Sequence, residues 1–599
     1  MDRNPGGSCR PGYGGCLMSR YYNRGWITPA KDNLRPRLLL ASTASLTALS
    51  FAVSAGADED PRTLDQRRAD AQALLVQAGC ETAQPTLNTV AASAQHALDH
   101  IAAAECAVET GAAAQASEAF WQAVIFRHQL DEAQRIYVFR SLGYQAEAAG
   151  EFTRSAIGWS EAASITNDPF DELMAARAAR LDERPQSGAA RLQQIDITGL
   201  SGPDLALYYE ERALVMADTQ PDVAAMYLAR AIEIEDLPYR RFQRGLFLQQ
   251  AGQERAALAE FSRALEGDPR NIDILLSTAY AAHRVDDPDL AANLFQRVLI
   301  IDPERSAVRE DLGYALMQAD REEEAAAAFR AAILDPTVRV NETAQERYQR
   351  IYRLRRQVEQ LERTTYGFAF ASYRDGSAPV AINLPETGPN ETQFGGEFGW
   401  RPDAFNTQNT GLTLFGRGYV SADPGTITLN DETLQMGVGA RWKPLPGHDF
   451  YLAGERMIAG GDQARDAWLL RASYGWADGL DWNPNEADWN YTTVFADLAY
   501  IPDNPEFLSA YASVRQGRRF RTGERWTFTP YVTGVAQWSD DTFQTRERLE
   551  VGPGVVFSHW FDESEASAPA QRLDLEMEYR FGVGDTDDQA FIARAVWHF

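Results

Sequence analysis

The sequence predicts two architectures in one chain: an N-terminal all-α solenoid and a C-terminal transmembrane antiparallel β-barrel of about 12 strands. From about residue 65 to residue 363 apolar residues recur at helical spacing, whereas after residue 363 apolar and polar residues alternate. The chain also ends in "AFIARAVWHF", with aromatic or small residues at every second position up to Phe599. A length of 599 residues with 45% hydrophobic content is enough for two or more domains with their own cores.

Residues 1–57 are predicted to be a secretory signal peptide. Basic residues precede an apolar run over residues 38–53, and small residues follow it, so we expect cleavage after Ala55 or Ala57. A membrane anchor is the alternative, but the run is short and rich in Ser and Thr for a spanning helix. A start at Met18 would give the signal an ordinary length.

Charge and cysteine content limit the partners and the compartment. The formal net charge is −28, and it becomes more negative when the basic leader is removed. Such a chain repels a phosphate backbone, so we expect no nucleic-acid partner. Only Cys80 and Cys106 remain after the leader, and an exported chain with two cysteines close in sequence favours a disulfide. Two buried thiols are the alternative.

Residues 58–340 are predicted to form a periplasmic domain of repeated helix pairs, because this part aligns on itself with a register of 34 residues. On the second helix of a pair a small residue precedes an aromatic residue, and Gly fills the small position of most first helices. The expected core positions are Gly143, Trp159, Tyr227, Gly245, Ala257, Phe261, Ala291, Phe295, Gly313, Ala325 and Phe329. The pattern resembles the tetratricopeptide repeat. Stacked repeats of this kind form a solenoid whose concave surface suits protein partners, and a mere spacer is the alternative.

Residues 341–363 are predicted to be a linker helix, and residues 364–599 an outer-membrane β-barrel. The clearest strand is "RLDLEMEYRF", in which apolar and charged residues alternate. Strand-like segments recur near 364–374, 391–401, 411–422, 432–443, 449–459, 466–476, 489–501, 507–519, 526–538, 547–560, 571–583 and 589–599. Because a sheet in lipid must pair all its backbone groups, an even number of such segments favours a closed barrel.

The alternation also predicts which side chains face lipid and which face the lumen. Those expected to face lipid are Leu434, Met436, Val438, Ala440, Trp442, Leu508, Ala510, Ala512 and Val514. The charges expected in the lumen are Arg417, Arg441, Arg471, Arg515, Arg580, Arg594, Glu397, Asp497, Glu550, Asp574, Glu576 and Glu578. Trp400, Trp442, Trp476, Trp489, Trp526 and Trp538 lie near strand ends, where interfacial aromatic girdles are found. Two interpretations of the lumen charges remain: ion pairs that fill the barrel, or the lining of a pore for an anionic or neutral glycan. Barrels of about eight strands are filled by side chains and barrels of about sixteen or more hold an aqueous channel, and twelve strands lie between these sizes.

The last strand resembles the C-terminal signal by which the barrel assembly machinery recognises outer-membrane barrels. Its positions are Phe591, Ala593, Ala595, Trp597 and Phe599. An exported repeat solenoid followed by a barrel is similar to exopolysaccharide export proteins and to the bacteriophage N4 adsorption protein A family. The stretches "TTYGFAFASYR", "QMGVGARW", "YLAGERMI" and "ARAVWHF" resemble the C-terminal domain of the second group.

This resemblance implies an outer-membrane protein of a surface-glycan system whose periplasmic solenoid meets an envelope partner, in that family an inner-membrane glycosyltransferase-like protein. Members serve as phage receptors. This chain departs from the family in its shorter solenoid. Two functional hypotheses follow: a component of surface-glycan export, or a plugged barrel that anchors a protein-binding periplasmic scaffold.

No enzymatic role, cofactor or metal is expected. His96 and His100 lie four residues apart, but no further ligand motif accompanies them, so an exposed helix face is the preferred interpretation. The stretch "DWNPNEADWN" lacks the Gly and closing Glu of a calcium loop and is interpreted as a turn between strands. Ser558 and His559 are adjacent in one strand, so they point to opposite faces and do not form a nucleophile and base.

Overall fold

The computed structural model describes residues 62–335, 342–375, 392–402, 411–423, 425–445, 447–503, 506–541, 545–584 and 589–599. The predicted signal peptide and its cleavage site after Ala55 or Ala57 lie outside the described residues. Within these ranges the chain has a helical half followed by a barrel, so the predicted fold class is confirmed.

The helical half is a succession of short antiparallel helices. Their bounds are α1 Leu64–Ser93, α2 Ala97–Glu109, α3 Ala113–Ile125, α4 Glu132–Ala148, α5 Phe152–Thr166, α6 Pro169–Leu181, α7 Pro185–Leu192, α8 Gly202–Met216, α9 Pro221–Ile234, α10 Pro238–Gln250, α11 Glu254–Gly267, α12 Ile272–Arg284, α13 Pro288–Ile301, α14 Ala307–Gln318, α15 Glu322–Ile333 and α16 Ala344–Glu362. Proline at the first turn starts several of them, where its missing N–H leaves no hydrogen bond unmade. No helix among the described residues is both long and apolar enough to cross a bilayer.

The 34-residue register corresponds to one helix pair. Phe261 on α11 packs over Gly245 on α10, where a Cβ would overlap the ring, and Phe329 on α15 packs over Gly313 on α14 in the same way. Trp159 on α5 covers Gly143 on α4. The other register positions are also buried or half-buried, namely Tyr227, Ala257, Ala291, Phe295 and Ala325. Close helix contact therefore depends on small residues beneath aromatic rings.

The N-terminal helix pair carries a covalent link. Helix α1 is interrupted at Gly79, whose φ of 76° is left-handed and favours glycine. The next residue, Cys80, is bonded to Cys106 on α2, with the two Cα atoms 4.9 Å apart. The bond ties the second part of α1 to the last turn of α2.

Twelve antiparallel strands follow and form a closed ring. Their bounds are β1 Thr365–Asp375, β2 Thr392–Trp400, β3 Gly411–Ala422, β4 Leu429–Lys443, β5 Asp449–Ala459, β6 Ala467–Asp478, β7 Asp488–Ile501, β8 Phe507–Gly523, β9 Trp526–Asp541, β10 Thr545–Phe561, β11 Gln571–Gly582 and β12 Gln589–His598. Each strand pairs with its neighbours in sequence, and β1 pairs with β12 to close the barrel. The bounds differ from the predicted segments by only a few residues.

Helix α16 joins the two halves. Leu354 and Val358 on one face are buried in the core of the last repeats. Tyr352 on another face is buried with residues of the barrel turns. The end of the barrel that carries α16 is called the helix-side end, and the opposite end the far end. An even strand number places the start of β1 and the C-terminus together at the helix-side end.

Candidate functional site

The outer surface of the barrel is an apolar band. Met436, Val438 and Trp442 on β4 and Val514 on β8 are exposed, while their neighbours along the strand turn inward. On β11 the exposed side chains are Leu575, Met577, Tyr579 and Phe581, which alternate with buried charges. An apolar outer face that alternates with a polar lumen is what a barrel in lipid requires.

Five of the six tryptophans expected at strand ends fit an outward girdle. Trp400, Trp442, Trp476 and Trp526 are exposed, and Trp538 is half-buried. The prediction for Trp489 is wrong. Its side chain is only 7% exposed because it lies in phase with the lumen-facing residues of β7 and packs at the mouth.

The lumen on the β2 to β7 side is occupied by separate ion pairs. Arg417 on β3 donates to Glu455 on β5 at 2.7 Å. Arg441 and Glu397 are 2.9 Å apart. Arg471 and Asp497 form the third pair, with 3.0 Å between the guanidinium nitrogen and the carboxylate oxygen. These charges are inside the barrel, as the alternation predicts.

A larger network joins side chains of β8, β9, β11 and β12 on one side of the lumen. Arg515 lies 2.6 Å from Glu576 and 2.8 Å from Glu578. The Tyr531 hydroxyl hydrogen-bonds the same two carboxylates at 2.9 and 2.8 Å. Arg580 donates to Glu578 at 2.7 Å, and Arg594 approaches Glu576 at 3.6 Å. Removal of one carboxylate would leave the buried arginines around it with fewer partners.

Glu550 on β10 extends this network toward the far end. Arg374 on β1 lies 2.9 Å from Glu550, and Arg580 lies 3.3 Å from it. The inward orientation of Arg374 was not predicted, because the inward face of β1 also carries Tyr366, Phe368 and Phe370, so the strand has no clear polar face. Side chains from β1, β10 and β11 thus meet and occupy this part of the lumen.

The helix-side mouth is partly covered by the turn between β6 and β7, residues 479–487, hereafter the Trp482 turn. Trp482 is only 6% exposed, and its ring packs against Trp560 on β10 at 5.7 Å and against Trp489 on β7 at 6.5 Å between centroids. The carbonyl oxygen of Leu480 accepts hydrogen bonds from Arg519 on β8 and Arg572 on β11. Because these arginines stand on well-separated strands, the turn reaches across the opening.

Helix α16 lies against this turn. The Tyr352 hydroxyl donates to the carbonyl oxygen of Trp482 at 3.1 Å, and Arg356 pairs with Asp481 at 2.6 Å. Burial raises the pKa of Tyr352 to about 12, so the hydroxyl remains a donor at neutral pH. In the next turn of the mouth the Ala568 N–H donates to the carbonyl oxygen of Arg355 at 3.2 Å.

Arg519 is a buried guanidinium beneath the Trp482 turn. Its Nε donates to Thr529 at 2.9 Å, and its guanidinium lies 4.8 Å from the centre of the Tyr491 ring and 5.4 Å from that of Trp560. Within the described ranges no carboxylate forms an ion pair with it, although the side chain is only 2% exposed. Neutral oxygens and aromatic faces therefore hold this charge.

The last strand closes the seam of the barrel. Phe591 and Trp597 face outward and are exposed, in phase with Ala593 and Ala595. The backbone N–H of Phe599 donates to Gly367 at 2.9 Å, and Gly367 donates back to Phe599 at 2.7 Å. The terminal residue thus completes the pairing of β12 with β1.

The other candidate residues do not assemble into a catalytic or metal site. His96 caps α2 by accepting from Leu98, whereas His100 is buried, stacks on Phe126 at 5.7 Å and has a pKa lowered by desolvation. The expectation that both histidines lie on an exposed face is therefore wrong for His100, which the helix pair buries. In the part of the chain that the structure describes, no group of three or more His, Cys, Asp or Glu is positioned to hold a metal.

Ser558 and His559 lie on opposite faces of β10. Ser558 is buried toward the lumen, and His559 stacks on Trp526 at the outer surface, 4.3 Å between ring centroids. The stretch compared with a calcium loop, residues 481–490, spans most of the Trp482 turn and the start of β7. Its two tryptophans in ten residues are an unusual apolar content for an exposed turn, and that signal would have predicted its burial.

The barrel matches a known family. Residues 427–594 match the model described as "Bacteriophage N adsorption protein A C-term". The chain is 24% identical over 464 residues to the bacteriophage adsorption protein A of Escherichia coli (strain K12), covering 74% of this chain and 46% of that protein. The chain thus spans about half the length of the curated relative it matches. The predicted resemblance of the C-terminal part is confirmed.

Solved structures with similarity to parts of the chain include tetratricopeptide-repeat proteins. One is the TPR protein YrrB, described as having an unusual peptide-binding site, at 18% identity over 32% of this chain and 96% of that one, with a TM-score of 0.26. Another is the C-terminal part of a TPR repeat-containing protein from Cytophaga hutchinsonii, at 16% identity over 39% of this chain and 95% of that one, with a TM-score of 0.32.

Proposed function

We propose that this chain, whose barrel carries the C-terminal domain of the bacteriophage adsorption protein A family, is an outer-membrane anchor with a periplasmic repeat scaffold. The far-end turns are exposed at the cell surface, where an adsorbing phage can bind them. The repeat domain lies in the periplasm and docks an envelope protein, for which an inner-membrane glycosyltransferase is the candidate. The role is non-catalytic and needs no cofactor.

The observation that carries this proposal is the partial cover over the helix-side mouth. Ion pairs occupy the lumen, and α16 packs over a buried tryptophan turn at that end. A barrel filled in this way supports anchoring better than free passage of a polymer. The apolar outer band supports insertion in lipid, and the C-terminal strand supports recognition by the barrel assembly machinery.

Epitope insertion tests the orientation. One epitope is placed in the far-end turn between β5 and β6, residues 460–466, and the other in the helix-side turn between β4 and β5, residues 444–448. On intact cells antibody should label only the first, and permeabilised outer membranes should label both. Labelling of only the helix-side epitope on intact cells would refute the orientation.

A shortened chain tests the division of labour. When the signal peptide is joined directly to residues 341–599, the barrel should still insert, because its strands satisfy their own backbone. It should lose co-purification with envelope proteins, because the concave repeat surface is missing. A shortened chain that inserts and keeps its partners would assign binding to the barrel. One that fails to insert would make the helical half part of barrel assembly.

Surface-glycan export is the second candidate function. It is favoured by Arg519, a lumen guanidinium held by aromatic rings and neutral oxygens, since arginine and aromatic faces are suited to acidic sugars. Cells that lack the protein should then lose secreted or surface acidic polysaccharide, and the full chain should restore it. Unchanged polysaccharide would leave the anchor as the function.

A further inference from the structure

The Trp482 turn is held from both halves of the molecule. On the barrel side Trp482 packs against Trp560 and Trp489. On the helical side it accepts the hydrogen bond from Tyr352 of α16. The same helix buries Leu354 in the repeat core. A displacement of the last repeat therefore moves the helix that contacts the turn.

The attachments of the turn to the barrel wall are of a reversible kind. Apart from ring packing, they are hydrogen bonds to backbone carbonyls of the turn. Three come from arginine side chains: Arg519 and Arg572 donate to Leu480, and Arg521 donates to Pro484 at 2.8 Å. The Trp489 indole donates to Gly479 at 3.0 Å, and the backbone N–H of Arg521 donates to Ala487 at 2.8 Å. Water can replace such donors and acceptors when the turn moves away. Gly479, with φ of 71°, begins the turn in a left-handed conformation that favours glycine and fixes one end of it.

The Arg519 guanidinium beneath the turn is stabilised when water reaches it. Arg519 is buried, and within the described ranges Asp574 and Asp481 attract it without forming an ion pair with it. A buried guanidinium that lacks a close carboxylate is costly, and hydration lowers that cost when the turn is lifted. The covered state is thus balanced between apolar packing of Trp482, which favours it, and desolvation of Arg519, which opposes it.

We propose that the Trp482 turn is a releasable cover of the helix-side mouth, and that displacement of α16 by a partner bound to the repeat domain opens the lumen. This inference rests on the proposed function, since it assumes a membrane barrel and a partner on the repeats. Tyr352 and Arg356 are the positioning residues that transmit the displacement. Trp482 is the seal.

Planar-bilayer recording of the full-length protein tests the cover. Trp482→Ala should produce stepwise openings that the wild type lacks. The double variant Tyr352→Phe, Arg356→Gln removes only the contacts from α16 and should raise the open fraction. Lys443→Gln is the matched control, because it breaks an exposed ion pair with Asp449, 2.8 Å apart, at another turn of the same end. It should behave as the wild type.

Heat-modifiable gel mobility separates folding from gating in each variant. A folded Trp482→Ala barrel without openings would overturn the cover. Wild-type openings as frequent as those of Trp482→Ala would do the same. Openings in Trp482→Ala but not in the double variant would overturn the role of α16. If Trp482→Ala fails to fold, the open fraction of the double variant tests the cover, and a folded double variant without openings would overturn it. A wild type without a folded, membrane-inserted form would instead refute the proposed function.

Discussion

Loss of the Cys80–Cys106 disulfide is expected to loosen the N-terminal helix pair selectively. The bond closes a loop with a sequence separation of 26 residues. Chain-entropy arguments give such a loop about 3 kcal/mol of stabilisation. Since about 1.4 kcal/mol is a factor of ten, the opening equilibrium of α1 and α2 should rise roughly a hundredfold. The effect is local because each repeat contacts only its neighbours.

Hydrogen exchange followed by mass spectrometry on the full-length protein measures this effect. The double variant Cys80→Ala, Cys106→Ala should lose protection in peptides from α1 and α2, while peptides from α12 and α13 serve as the internal control. Reductant should reproduce the loss in the wild type and change nothing in the double variant. Equal protection in all samples, or two thiols that label in the denatured non-reduced protein, would refute the reasoning.

Three further outcomes are expected. Replacement of Phe599 by Glu should lower the amount of heat-modifiable barrel, because it removes the ring that packs over Gly367 of β1 and puts a charge there, and unchanged folding would contradict this. Glu578→Gln should destabilise the barrel by about 3 kcal/mol, because Arg515, Arg580 and Arg594 each lose one of their two carboxylate partners; the melting temperature of the heat-modifiable form measures it, with exposed Glu547→Gln as control. Because burial lowers the pKa of His100, the unfolded state binds more protons below its ordinary value of 6.5. Exchange protection of α2 should therefore fall as the pH drops below about 6.5, and His100→Gln should remove that dependence.

The regular parts of both halves could be predicted from the sequence because each rests on a repeated local pattern. Phe261 and Phe329 lie two registers of 34 residues apart, and each packs over a glycine, so the helix pairs can be recognised from the sequence. In β11 the alternation of Leu575 with Glu576 assigns both faces correctly because one face is apolar and the other charged.

The irregular contacts could not be predicted, since they join residues far apart in sequence. The hydrogen bond from Tyr352 to Trp482 crosses 130 residues and links a helix to a turn. Trp489 lies near a strand end, where composition favours an interfacial ring, but the strand's phase directs it inward. Arg374 follows a run of aromatic residues that hides which face of β1 is polar. Pattern reasoning assigns faces only where the two faces differ in polarity.

The seam between β1 and β12 has a consequence for biosynthesis. Phe368 is opposite His598, so the first strand meets its partner only when β12 has been synthesised. Until then the sheet has two unpaired edges, which are prone to pair with other chains. A product of premature termination cannot remove those edges, however well its helical half folds. The pairing of β12 with β1 is therefore the step that distinguishes a closed barrel from a truncated sheet.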